Sequence, residues 1–163
     1  MYDSILVATD GSEAATTAVE HATALAGRFD AQLYGIAVVD ERTAYDSGIV
    51  DPEEAERHRR ERATAWLEEL EATAAATDPA VSVETTVRSG VPHEEIIDYA
   101  AECDAGAIVV GARGRSSFKG ALLGSTVERV VRAADRPVLV VGGTGESAEE
   151  TAGRSSGDAS SGQ

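Results

Sequence analysis

The sequence predicts an α/β protein built on an open five-stranded parallel sheet with helices on both faces. Three observations lead there. Short apolar runs alternate along the chain with longer segments whose apolar residues recur at the helical period. The first and fourth runs, 4–8 and 107–110, are apolar almost without interruption, as strands covered on both faces are. A long glycine-punctuated loop separates the fourth run from the next helical pattern, where open α/β sheets place their ligand loops.

The elements follow in order. Residues 4–8 form the first strand, and Thr9-Asp10-Gly11-Ser12 turns the chain, with Ser12 placed to cap a helix. In that helix Ala15, Ala18, Val19, Ala22, Leu25 and Ala26 keep the 3.6-residue period, and Gly27 predicts its end. Residues 32–39 form the second strand, carrying Leu33, Ile36, Val38 and Val39; residues 40–50 show neither period and read as a loop. Asp51-Pro52-Glu53-Glu54 announces the second helix with a cap, a proline at the first position and acids in the first turn. Ala63, Trp66, Leu67, Leu70 and Ala74 make its inner face. Glu53 with Arg57 and Glu56 with Arg60 are spaced i,i+4, so this charge cluster reads as a solvated face rather than a site.

Val81, Val83, Thr85 and Val87 alternate, which predicts a third strand at a sheet edge. Pro92 opens a short helix carrying Ile96, Ile97 and Ala100. After the fourth strand and its loop, Val127, Val130, Val131 and Ala134 share one face of the last helix; Pro137 stops it and 138–141 is the final strand. From Gly143 the chain turns to Gly, Ser, Thr, Ala and Glu without apolar periodicity, so 143–163 is expected to be a disordered tail and 1–142 a single domain.

The loop after the fourth strand reads G-A-R-G-R-S-S-F-K-G-A-L-L-G-S-T from Gly111 to Thr126. Glycines at 111, 114, 120 and 124 allow positive φ and close approach to a ligand. Ser125 and Thr126 fall where a helix start offers free N–H groups and a favourable dipole to phosphate. Charge agrees with this. The chain carries 29 acids in 163 residues and a net charge of −15. At that rate about four acids would fall between Asp104 and Glu128; there are none. Arg113, Arg115 and Lys119, the single lysine, lie there instead, which makes the loop a local cationic region able to hold an anion the rest would repel. On these residues alone a tight strand–helix connection stays open beside anion binding, as a turn-capping role does for Asp10. Neither the G-x4-G-K-[ST] nor the G-x-G-x-x-G spacing is present.

Gly111, Gly114, Gly124 and Ser125 do fit G-x2-G-x9-G-[ST]. With the stretches 5–12 (ILVATDGS), 90–96 (GVPHEEI) and 136–141 (RPVLVV), in this order, the chain resembles the universal stress protein family over about its first 142 residues. The resemblance implies a Rossmann-like sheet of order 3-2-1-4-5 with a crevice that holds ATP or another adenine nucleotide. Carried over position by position, it puts Thr9 and Asp10 at the ribose or adenine side and Val38 against adenine. Gly111, Gly114, Gly124, Ser125 and Thr126 would wrap ribose and phosphates, with Arg113, Arg115 and Lys119 added on grounds of charge. Magnesium would accompany ATP on its phosphates. The family's habit implies a homodimer through the edge strand 138–141, which holds no charge.

The N-terminus enters a strand at once and no apolar run reaches membrane-spanning length, which predicts a cytoplasmic protein. Net charge argues against nucleic acid or anionic membrane partners, and with one lysine and abundant alanine it suggests adaptation to high salt. Cys103, the lone cysteine, excludes an internal disulfide and reads as a small buried hydrophobe. His21, His58 and His93 have no zinc spacing, and no metal site is expected. No catalytic set is visible, so the expected function is an ATP-binding stress-response regulator or sensor. A slow ATPase or adenylyl-transfer hydrolase on the same fold stays open, as does an interaction module with a non-nucleotide ligand.

Overall fold

The computed structural model describes residues 2–42, 51–115 and 122–142. The expected tail, most of the loop at 40–50, and Lys119 with Gly120 lie outside these residues. The elements run β1 (Ser4–Ala8), α1 (Glu13–Phe29), β2 (Gln32–Asp40), α2 (Pro52–Thr77), β3 (Val83–Gly90), α3 (Pro92–Glu102), β4 (Ala107–Gly111), α4 (Ser125–Ala133) and β5 (Val138–Val141). All pairings are parallel and the sheet order is β3-β2-β1-β4-β5, the expected architecture.

Side-chain alternation along the central strands divides the core into two layers. Ile5, Val7, Leu33, Ala37 and Val109 face α1 and α2, meeting Ala18, Val19, Ala22, Leu67 and Leu70. Leu6, Ile36, Ile108 and Val110 face the other way, against Ile96, Ala100, Val127 and Val130 from α3 and α4. The first layer is built largely of alanine, which lets α1 lie close on the sheet with few aromatic side chains.

Local chemistry sets the helix starts. Ser12 accepts from the Ala15 N–H at 3.2 Å to cap α1, and Asp51 accepts from the Glu53 N–H at 3.3 Å ahead of Pro52 to cap α2. α1 does not stop at Gly27. It runs to Phe29 and ends on Asp30 in the left-handed region at φ 53°, a conformation Asp tolerates better than most residues. In α4, Val127 and Val130 are buried but Val131 is 46% exposed, so the inward face is narrower than the sequence pattern predicts. β3 starts at Val83 rather than Val81 and is a sheet edge, as its alternation predicts.

Candidate nucleotide pocket

β1 and β4 are neighbours in the sheet although α1, β2, α2, β3 and α3 separate them in the chain, so their carboxyl ends flank the point where the winding direction reverses. A pocket of about 330 Å³ opens there. Thr9, Asp10, Val38, Gly111, Arg113, Gly114, Arg115, Gly124, Ser125 and Thr126 all line it. Ala8, Ile36, Pro92, Ile96, Val110 and Val127 supply an apolar part. His93, next to Pro92, is not among the lining residues.

Two backbone bonds hold the ends of the glycine loop at the sheet. Ala112 donates to Val141 at 2.7 Å, and Gly124 donates to Ala112 at 2.8 Å. The second bond brings the start of α4 back to the end of β4. Gly124 is the N-cap of α4, and no described side chain caps this helix, in contrast to α1 and α2. Gly124, Ser125 and Thr126 line the pocket, so this helix start brings N–H donors without a side-chain acceptor, and the positive end of a helix dipole, to its rim.

Gly111, Gly114 and Gly124 do not take the positive φ that the sequence suggests. Among the described glycines only Gly11 and Gly90 have positive φ, and Gly124 sits at φ −68°. Gly111 is needed for packing: a Cβ there would fall 2.7 Å from the carbonyl carbon of Ala14 in α1. At Gly114 a Cβ would fall on Oδ2 of Asp10. The spacing of these glycines thus records how tightly β4 and its loop press on α1 and on the β1 turn. Gly120 lies outside the described residues.

Asp10 does cap its own turn, accepting from the Ser12 N–H on Oδ1 at 3.0 Å. It also spans the crevice, because Oδ2 accepts from the Arg115 N–H at 2.9 Å and its carbonyl accepts from Arg115 Nε at 2.7 Å. The Arg115 guanidinium lies over the Trp66 ring, 5.0 Å from its centroid. Arg115, expected as an outer neighbour of phosphate, is thereby a bracket between the two lips as well as a cation at the pocket. At the far wall Asp40 pairs with Arg42 at 2.9 Å. Burial pushes the Asp40 carboxyl up, but the hydrogen bonds from Arg42 outweigh it and hold the group below the usual carboxylate value.

The sequence reading missed the contribution of α2. Trp66 is only partly buried, and with Arg59 and Arg62 it lines the pocket. The charged stretch of α2 is therefore not solvated throughout. Arg60 is exposed, 3.9 Å from Glu56 as expected, and also donates to Ser89 Oγ of β3 at 3.3 Å. A signal for the difference was present: Arg57 and Arg60 have glutamates four residues away, whereas Arg59 and Arg62 have none and stand i−7 and i−4 from Trp66 on one helical face. Cys103 is half-buried and burial raises its thiol pKa, in keeping with a packing role. Among the described residues no group of three His, Cys, Asp or Glu side chains is arranged to hold a metal ion. No helix there is long and apolar enough to cross a membrane.

Known proteins match along the same span. The family model described as the universal stress protein family matches residues 1–142. Universal stress protein MJ0531 of Methanocaldococcus jannaschii is 34% identical over 153 residues, covering 86% of this chain and 82% of its own length. Universal stress protein YxiE of Bacillus subtilis is 33% identical over 147 residues, covering 86% and 99%. Among solved structures, MJ0577 of M. jannaschii superposes with a TM-score of 0.79 at 30% identity, over 90% of this chain and 99% of its own. A universal stress protein solved in complex with cAMP gives a TM-score of 0.65 at 29% identity, covering 86% and 97%. Sheet order, glycine spacing and these matches converge, and the chain belongs to the universal stress protein family.

Proposed function

We propose that this protein binds ATP in the switch-point pocket and acts as a dimeric stress-response regulator in the cytoplasm. One observation carries the reading: the ten residues nominated from the sequence, remote in the chain, line a single pocket whose floor is apolar and whose rim offers the open start of α4. Adenine would lie on the apolar part beside Val38, the ribose between Asp10 and Gly111, and the phosphates along Gly114, Gly124, Ser125 and Thr126. The cAMP complex of a relative supports an adenine nucleotide as the ligand class. Magnesium would arrive on the phosphates, since the described residues offer it no cage of their own.

A regulator is preferred to a hydrolase because the Asp10 carboxylate, the single candidate base at the loop, is already accepting two backbone N–H groups. The dimer reading rests on β5, a sheet edge whose Leu139 is 39% exposed. Isothermal titration with ATP and Mg²⁺ in molar KCl tests the binding. Saturable heat at about one nucleotide per chain is expected; no heat, and no thermal protection by any adenine nucleotide, would sink the reading.

A further inference from the structure

A second cationic wall faces the glycine loop across the pocket, and the family motif does not include it. Arg59, Arg62 and Trp66 follow one another along α2 at i, i+3 and i+7, on the face turned to the crevice. At the foot of this stripe Trp66 carries the guanidinium of Arg115. The three arginines therefore form a ladder, Arg115 to Arg62 to Arg59, climbing away from the loop that ends at Gly124. Neither Arg59 nor Arg62 makes an ion pair with a described residue, and Nε of Arg59 is removed from solvent with no hydrogen-bond acceptor. An arginine N–H withdrawn from water and left unpaired is costly, so such a group marks a place where an acceptor is to be supplied. The nearby carboxylates do not supply it: Asp40 is engaged by Arg42, Glu56 lies beside Arg60, and Glu41, which lines a neighbouring pocket with Arg59, makes no ion pair with it. In a chain of net charge −15, this much unneutralised positive charge on one pocket wall is local selection for a polyanion.

We propose that Arg59 and Arg62 form a second phosphate subsite, which engages the outer phosphates of a nucleotide whose first phosphate lies at Gly124–Thr126. The inference rests on the nucleotide reading above and deepens it: α2 makes the pocket select a polyphosphate over a monophosphate. The test compares ATP and AMP binding by calorimetry, with Mg²⁺, for the full chain and for Arg59→Gln, Arg62→Gln, the double variant and Arg60→Gln. The double variant should bind ATP about tenfold more weakly while AMP affinity stays within about twofold. Arg60→Gln, altered on the outer face, should match the parent. Arg62 is exposed, so Arg62→Gln keeps the fold and alone should lower the ATP-to-AMP affinity ratio severalfold. An equal loss for both nucleotides, or an unchanged ATP affinity, overturns the subsite while leaving the nucleotide reading intact. A parent chain that binds neither nucleotide overturns both.

Discussion

Gly111 shows how one residue joins packing to the site. It ends β4, its backbone faces α1 at Ala14, and the next residue anchors both β5 and the start of α4 through Ala112. Gly111→Ala must force α1 and β4 apart, because the atoms it meets are backbone and cannot rotate away. Overpacking of this kind costs about 1–3 kcal/mol, so the urea midpoint should fall, and nucleotide binding should weaken with it. Gly142→Ala is the control, since nothing lies within 4 Å of a Cβ there; equal midpoints for the two variants would contradict the packing account. Residue identities at this scale were legible and their reasons were not. The sequence spacing singled out Gly111 and Gly114 for positive φ and close approach to a ligand, and the positive φ is not found. The packing reason, contact with Ala14 and Asp10, joins residues about a hundred positions apart and leaves no local trace.

At the scale of elements, the connection from α3 to β4 depends on an arginine whose bonding the sequence did not show. Arg136, after α4, sends Nη1 to the carbonyls of Ala100 and Ala105, each at 2.9 Å, and pairs Nε with Asp135 at 2.9 Å. It adds a second bond to the Ala100 carbonyl, which also accepts from the Ala105 N–H at 2.9 Å, and one to the Ala105 carbonyl in the turn before β4; its side chain is 15% exposed. Arg136→Met keeps the aliphatic stem and removes those bonds, so it should lower unfolding free energy by about 1.5–3 kcal/mol in urea titration. A loss below about 0.5 kcal/mol would mean that water replaces the guanidinium at no cost. Element types and order were readable throughout, because apolar period and cap residues act locally. Boundaries were less so: α1 overran Gly27 since Asp30 could take the left-handed cap, and Val131 faced outward because a helix of nine residues has one narrow contact with the sheet.

For the molecule as a whole, two properties follow from surface rather than core. The exposed Leu139 on the β5 edge is the proposed dimer seam, so Leu139→Glu should convert a dimer into a monomer by light scattering without lowering the helix content. A parent chain that is already monomeric removes that proposal. With a net charge of −15, self-repulsion should fall as salt screens it, and the melting temperature should climb over a KCl series from 0.1 to about 2 M; a flat series would end the case for salt adaptation. By itself the sequence determined the element types, the glycine loop and its charge, since period, capping and charge density are written in short stretches; the ten residues now found around the pocket came from that loop together with the family resemblance. Only the tertiary structure decided that Arg59, Arg62 and Trp66 belong to that pocket and that Asp10 bridges its lips to Arg115. A side chain on an amphipathic helix has a face but no address until the helix is laid on its sheet, and that placement comes from contacts among distant residues.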